Sequence, residues 1–428
     1  MKYTPIDCKL FVENRLRLSQ WMEKNSLAVL NANDILPTNA DGTMPLKPNS
    51  DLFYLTGIEQ EETIFLFYPD AVDADSREIL FMKETNPLIE TWEGHKLTKE
   101  EARKISGIKN VQWLSEFRKT FHNLMCDCDA VYLNTNEHKR AVVEVQIRDA
   151  RFIEECQKRY PLHKYLRLAR LMHRLRAIKS PIEVDVIKKA CNLTAKGFER
   201  VLKFVKPGVN EMEVEAEFAY EFIRGGGYFA YQPIIATGKN GCALHYIKND
   251  EQCKSGQLLL MDVAAGYANY NSDMTRTIPV NGKFSPRQKK VYNAVLRVLK
   301  GSMNNLKPGK LIKEWQKEAE QMIEKELVDL GLLTLREIKR QSPDSPAAKK
   351  YFMHGVGHPI GLDVHDVGYT TEPIQAGWVM TCEPGIYIRE EELGIRLENT
   401  VLVTENGAVD LMASIPIEAE EIEEIMKK

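Results

Sequence analysis

The sequence predicts two domains of different class, an α/β domain over residues 1–170 and an α+β domain over residues 178–428. Three observations carry this reading. The chain has 428 residues, more than one ordinary core accommodates. In the first half, strand-like runs alternate with helix-compatible stretches, which argues for a mixed or parallel sheet covered by helices. In the second half, helices and strands segregate into separate runs, the pattern of an α+β domain.

Taken in order, residues 9–24 place Leu10, Phe11, Leu16, Leu18 and Trp21 at roughly helical spacing. Strands are expected at 27–30, 63–68, 78–82 and 130–134, with helix-compatible stretches near 98–106 and 139–157. The basic, amphipathic segment 164–180 is expected to be a connecting helix marking the boundary. A new helix should start at 180-SPIE-183, where Ser180 caps, Pro181 suits the first turn and Glu183 completes a capping box. It should run to about 204, where Pro207-Gly208 follows, and Asn210 with Glu213 should open a second helix ending at 225-GGG-227. Strands are expected within 232–237, 257–264, 270–280, 377–384, 386–388 and 395–403, and helices over 285–304 and 309–331. The polar stretch 335–350 reads as a surface loop and 418–428 as a short surface helix.

Composition narrows the class. An apolar share of 43% and a charged share of 28% are those of a soluble globular protein. No 18-residue apolar run is present and the first residues lack a signal-peptide apolar core, so neither membrane insertion nor export is expected. A net charge of -3 without a basic, aromatic-interleaved stripe gives no reason to expect nucleic acid as a partner. Eight cysteines scattered without zinc-type pairs read as reduced thiols of a cytoplasmic protein.

The chemistry lies in the second half. The stretch 258-LLLMDVAAGYANYNSDMTRTI-278 reads as two strands joined by a small-residue turn. With the turn centred between Tyr267 and Ala268, Asp262 and Asp273 fall opposite one another on one sheet face, about 5 Å apart at Cβ, where like charges repel. Such a pair needs a cation between its members. For an isolated pair the commoner arrangement is one aspartate capping the turn and the other solvated. Downstream, three of the nine histidines lie in 354-HGVGHPIGLDVH-365. Histidines at i and i+4 suggest a helical HExxH zinc site, but Gly355, Gly357 and Pro359 deny a helix and no glutamate follows His354. His95, His122, His138 and His163 are isolated and read as packing or surface groups. Glu383 precedes Pro384-Gly385, a break that aims a strand-end side chain, and Arg396 and Glu398, two apart on a strand, share a face.

The order Asp262, Asp273, His358, Glu383, Glu398 resembles the five-ligand dinuclear site of the pita-bread metallopeptidases, which include methionine aminopeptidase, prolidase and aminopeptidase P. The matching segments are the Asp hairpin, 358-HPIGLDVHD-366, 382-CEPGIYI-388 and 394-GIRLENT-400. In the first half, 48-PNSDLFYLTG-57 and 91-TWEG-94 resemble the N-terminal domain of aminopeptidase P, so the likeness spans nearly the whole chain.

The resemblance implies a pita-bread catalytic domain with two divalent ions, which the oxygen-rich donor set favours as manganese. It places Asp273 and Glu398 between both ions, Asp262 on one, and His358 with Glu383 on the other. It implies that Glu383 also shuttles a proton, that His365 stands near the substrate carbonyl, and that His245 and His354 line the pocket. Tyr387 and Arg396 match residues that hydrogen-bond around the centre. The implied activity is release of the N-terminal residue from peptides with proline second, by a homo-oligomer. Prolidase, a non-catalytic pita-bread binding module and the metal-free creatinase-like branch are the alternatives, and the filled ligand positions argue against the last two.

Overall fold

The computed structural model describes residues 3–142, 144–342 and 345–427. The chain divides into two units, Pro5–Arg176 and Ala177–Lys428, the second taking in Tyr3 and Thr4.

The first unit is built on a six-stranded mixed sheet. Its spatial order is Asn110–Trp113, Glu78–Met82, Ile64–Phe67, Ser26–Asn31, Ala130–Leu133, Lys164–Arg167. Ser26–Asn31 runs parallel to Ala130–Leu133 and antiparallel to Ile64–Phe67. It is buried along its whole length, as a central strand covered on both faces should be. Helix Lys9–Ser19 buries Leu10, Phe11 and Leu18 but leaves Leu16 exposed, and it stops before Trp21, which is also exposed. Arg15 on the same helix is buried; its guanidinium donates to the carbonyls of Leu55 and Ser106 and to Glu78.

Two expectations need correction here. Residues 164–167 are a strand rather than the start of a connecting helix, pairing in parallel with Ala130–Leu133. The basic ends Lys164 and Arg167 are exposed on the sheet edge, where charge blunts further pairing. The inward Tyr165 hydroxyl donates to the carbonyls of Cys156 and Tyr160. Helix Ala169–Ala177 follows. Within 139–157 the helix begins only at Arg148, and Val143 lies outside the described residues.

In the second unit the capping boxes predicted at Ser180/Glu183 and Asn210/Glu213 are present, opening helices Pro181–Phe204 and Glu211–Arg224. These helices pack closely at Gly197, where a Cβ would meet the Phe218 ring at 2.7 Å. Helices Pro286–Asn305 and Ile312–Asp329 form a second pair. The strands make small antiparallel sheets: Ile234–Thr237, Leu258–Asp262 and Thr275–Pro279; Val379–Cys382, Asn399–Thr404 and Gly407–Asp410; and the hairpin Gly385–Ile388 with Leu393–Arg396. The stretch 335–350 is more than a loop, since Thr334 and Glu337 cap a short helix Leu335–Arg340; Pro343 and Asp344 lie outside the described residues. Near the end, helix Ala419–Met426 turns Ala419, Ile422 and Met426 inward, and Lys428 is outside the described residues.

One buried acid in the first unit sets a pH dependence. Asp149 accepts from the Asn31 side-chain amide at 2.9 Å. Burial, with Asp51 adding to it, pushes its carboxyl up to about 6 against the pull of that amide. The folded chain therefore binds this proton more tightly than the unfolded chain. The resulting stability is complete below the ordinary carboxyl range and is lost as pH rises through about 6, a rise worth about 3 kcal/mol. Asp149→Asn removes the titration, so its melting temperature relative to the unaltered chain should climb by roughly 5 °C or more between pH 4 and pH 7. Paired thermal melts across that range check this; a flat difference contradicts it.

Candidate metal centre

Asp262 ends strand Leu258–Asp262, and its cross-strand partner is Thr275. The turn falls one residue later than the sequence suggested. Ala268 (φ 49°) and Asn269 (φ 66°) are both left-handed, the backbone of a two-residue type I′ hairpin turn, and Tyr267 pairs with Tyr270. The register continues through Ser272 N–H to the Ala265 carbonyl and Val263 N–H to the Met274 carbonyl. Asp273 therefore stands diagonal to Asp262 and not opposite it. Diagonal residues still share a face and remain within reach of one another's side chains.

A residue that the sequence did not single out joins them. The Tyr231 hydroxyl lies 2.6 Å from Asp262 Oδ1 and 2.6 Å from Asp273 Oδ1. Burial and the two carboxylates push its pKa well above the ordinary tyrosine value, so the hydroxyl remains a donor. Asp273 itself is raised by burial and then by the charge of Asp262.

His358 sits on the extended loop predicted for 354–365, held by its N–H to the Thr381 hydroxyl. Its Nδ1 lies 2.9 Å from the Pro359 carbonyl, which makes Nδ1 the protonated nitrogen and turns the Nε2 lone pair toward the acids. Nε2 is 3.6 Å from Asp273 Oδ2 and 3.7 Å from Glu383 Oε1. These separations are too long for hydrogen bonds. They suit atoms sharing an ion bound at about 2.1 Å. Glu383 follows strand Val379–Cys382, its N–H tied to the Val356 carbonyl. Glu398 lies between strands Leu393–Arg396 and Asn399–Thr404, where its N–H reaches the Thr275 carbonyl and its Oε2 accepts from the Thr275 hydroxyl at 2.7 Å. Burial raises its pKa, and Asp273, Glu383 and Asp262 add to the rise. Ligand atoms of Asp273, His358 and Glu398 lie within 4.8 Å of one another.

Around this group runs a hydrogen-bonded chain. Arg396 donates to Asp262 Oδ2 at 2.7 Å and to the Tyr387 oxygen at 2.9 Å, so its ion partner is Asp262 and not the neighbouring Glu398. The Tyr387 hydroxyl lies 2.8 Å from His354 Nε2. Burial first, and then the charge of Arg396, push His354 down to about 3, so its ring is neutral at working pH. The His365 ring centroid is 4.2 Å from that of His358. His245 is exposed, and its neighbours Leu244 and Tyr246 pack on the apolar cluster that includes Tyr387.

Two carboxylates and an imidazole with ligand atoms within 4.8 Å of one another, an acid-lined surround and an imidazole with its lone pair turned inward fit a hard divalent ion. The comparisons with known proteins agree in kind. Residues 185–405 match metallopeptidase family M24. The chain belongs to metallopeptidase family M24. Residues 11–132 of this M24 chain match the aminopeptidase P N-terminal domain. It is 32% identical to the Xaa-Pro aminopeptidase of Escherichia coli (strain K12), with 97% of each chain covered. It is 34% identical to the Xaa-Pro aminopeptidase of Haemophilus influenzae, covering 97% of this chain and 96% of that one. A solved Bacillus anthracis structure assigned to aminopeptidase P superposes with a TM-score of 0.91 at 35% identity, with 99% of each chain covered. The zinc-substituted Escherichia coli aminopeptidase P in complex with product gives 0.87 at 32%, again over 99% of each. The M24 chain thus has the expected pita-bread catalytic domain behind an aminopeptidase P N-terminal domain.

Because Tyr231 holds two of the acids in place, Tyr231→Phe should fold normally yet bind divalent ions about 10- to 100-fold more weakly. Competition against a metal-sensitive chelator measures this. Unchanged affinity would make the hydroxyl a bystander.

Proposed function

We propose that this metallopeptidase removes the N-terminal residue from peptides with proline in the second position, with Asp262, Asp273, His358, Glu383 and Glu398 holding two divalent ions, manganese in the native enzyme. The observation that carries the reading is the Asp273, His358 and Glu398 cluster, with Asp262 and Glu383 at its edges. When bound, two such ions acidify water toward neutrality and polarise the scissile carbonyl.

The protein's own groups do the rest. Glu383 is half-buried beside His358, and its carboxylate takes the proton released by the attacking water and passes it to the departing proline nitrogen. That nitrogen carries no hydrogen in the substrate, so it must be protonated to leave, and recognition must dispense with the amide N–H used by general peptidases. His365, its ring tilted 35° against that of His358, donates to the carbonyl oxygen as it gains charge. Neutral His354 and exposed His245 offer polar walls for the peptide. Arg396 and Tyr387 keep Asp262 and His354 in register.

Likeness along the whole chain to proteins named Xaa-Pro aminopeptidase supports this reading over prolidase. The cytoplasm is part of the proposal, resting on eight free cysteines. Among the described residues no helix is long and apolar enough to cross a membrane.

Hydrolysis of Xaa-Pro-Xaa tripeptides and Xaa-Pro dipeptides, with chelator and then with manganese restored, tests the reading. Tripeptides should be cleaved, activity should vanish on chelation, and manganese should restore it. Cleavage of dipeptides alone would point to prolidase, and activity surviving full metal removal would overturn the mechanism. The chain is also proposed to self-associate through its N-terminal domain; sedimentation should give a multiple of the 49.0 kDa chain mass, and a monomer at working concentration rejects this.

A further inference from the structure

We infer that the buried ion pair Lys179–Asp366 is a positioning pair that sets the His365 ring against His358. Lys179 Nζ lies 2.9 Å from Asp366 Oδ2, and both side chains are 1% exposed. Asp366 immediately follows His365, and it closes the loop that starts at His358. Its N–H donates to the Pro359 carbonyl at 2.9 Å, and the Gly361 N–H donates to the Asp363 carbonyl at 3.0 Å.

The loop packs tightly on the pair at Gly361. A Cβ on Gly361 would collide with the Asp366 carboxylate and come within 2.8 Å of Lys179 Cε. From the other side, the Asn271 side-chain amide donates to the carbonyls of Gly361 and Leu362, both at 3.0 Å, and its N–H donates to Gly361 as well. Asn271 is two residues from Asp273. The loop is therefore fastened at one side to the hairpin that carries two of the acids. At the other side it is fastened to Lys179, whose N–H donates to the Gly377 carbonyl.

A fully desolvated ion pair gains little net stability over apolar side chains of similar volume. What it does supply is direction, because each partner is confined to a single geometry. Here that geometry fixes the residue bonded to His365, and the His365 and His358 ring centroids stand 4.2 Å apart. The inference rests on the reading of His365 as the donor to the substrate carbonyl, but the ring placement can be measured without it.

The test compares full-length, zinc-loaded wild type with Asp366→Asn and with the apolar replacement Lys179→Met/Asp366→Leu, which keeps the protein folded if Asp366→Asn does not. Histidine-ring NMR should show a dipolar contact between the His358 and His365 rings in the wild type and its loss in the variants. Retention of that contact in the folded variants overturns the proposal, whatever the activity. In peptide hydrolysis, kcat should fall about tenfold or more with KM little changed. In a His365→Ala background Asp366→Asn should cost nothing further. A full additional loss in that background would mean that the pair acts elsewhere and would also overturn the proposal. Were the wild type not to cleave Xaa-Pro peptides at all, the substrate reading would fall and the ring contact would still decide this one.

Discussion

Acidic side chains crowded into a desolvated space repel one another, and much of the second unit is arranged around keeping them there. Asp273 and Glu398 resist ionisation, first because they are buried and then because each feels the other acids. The hairpin from Asp262 to Thr275 is where the restraints meet. Thr275 donates to Glu398, Thr400 exchanges hydrogen bonds with the Asp273 backbone, and Arg396 holds Asp262. On the far side, Tyr270 donates to the buried Glu183 of helix Pro181–Phe204, while Thr194 on the same helix accepts from the Ala265 N–H. Each acid is gripped through backbone or hydroxyl groups whose own partners are fixed, so repulsion cannot be relieved by swinging a side chain into solvent.

Such a network is costly to leave half-satisfied. That explains why buried polar residues concentrate along these strands. Arg276 is fully buried and gives its guanidinium to the carbonyls of Pro416, Thr275 and Glu398 and to Asn399. It anchors the Glu398 carbonyl and the Asn399 side chain without adding another acid to the site. Burial pulls its own pKa down to about 10, which still leaves it charged at neutral pH.

Local signals carried through where the physics is local. Ser180 with Glu183 and Asn210 with Glu213 cap helices because both partners of each box lie within one turn, and the sequence contains the whole interaction. The hairpin register lies one residue from the sequence expectation because it depends on which pair of small residues takes left-handed dihedrals, and Asn269 claims one of those places. Residues 164–167 look helical alone and become a strand because Ala130–Leu133 offers an open parallel edge, which is a tertiary fact. Within the site, the acidic and imidazole residues could be named from their order and from family resemblance. Tyr231 could not: nothing in 230-AYQP-233 marks a hydroxyl that reaches two aspartates thirty and more residues downstream. The partner of Arg396 is likewise invisible in the sequence, since strand spacing shows only that it shares a face with Glu398 while the folded chain delivers Asp262.

Charge matching ties these placements to catalysis. The proposed acids Asp262, Asp273, Glu383 and Glu398 bring four negative charges, which two divalent ions would balance in net charge. Arg396 alters that balance. Its guanidinium is buried against Asp262, and His354 beyond Tyr387 is held neutral, so Arg396 adds one positive charge. With two divalent ions held by those acids, the buried guanidinium would leave the site net positive, which would favour the negative charge that moves onto the carbonyl oxygen as it is attacked. In a desolvated setting that attraction would be stronger than in water. Exchange of Arg396 for a neutral residue would therefore remove more than a hydrogen bond to Tyr387; it would remove a buried positive charge that favours the charged transition state over the neutral peptide.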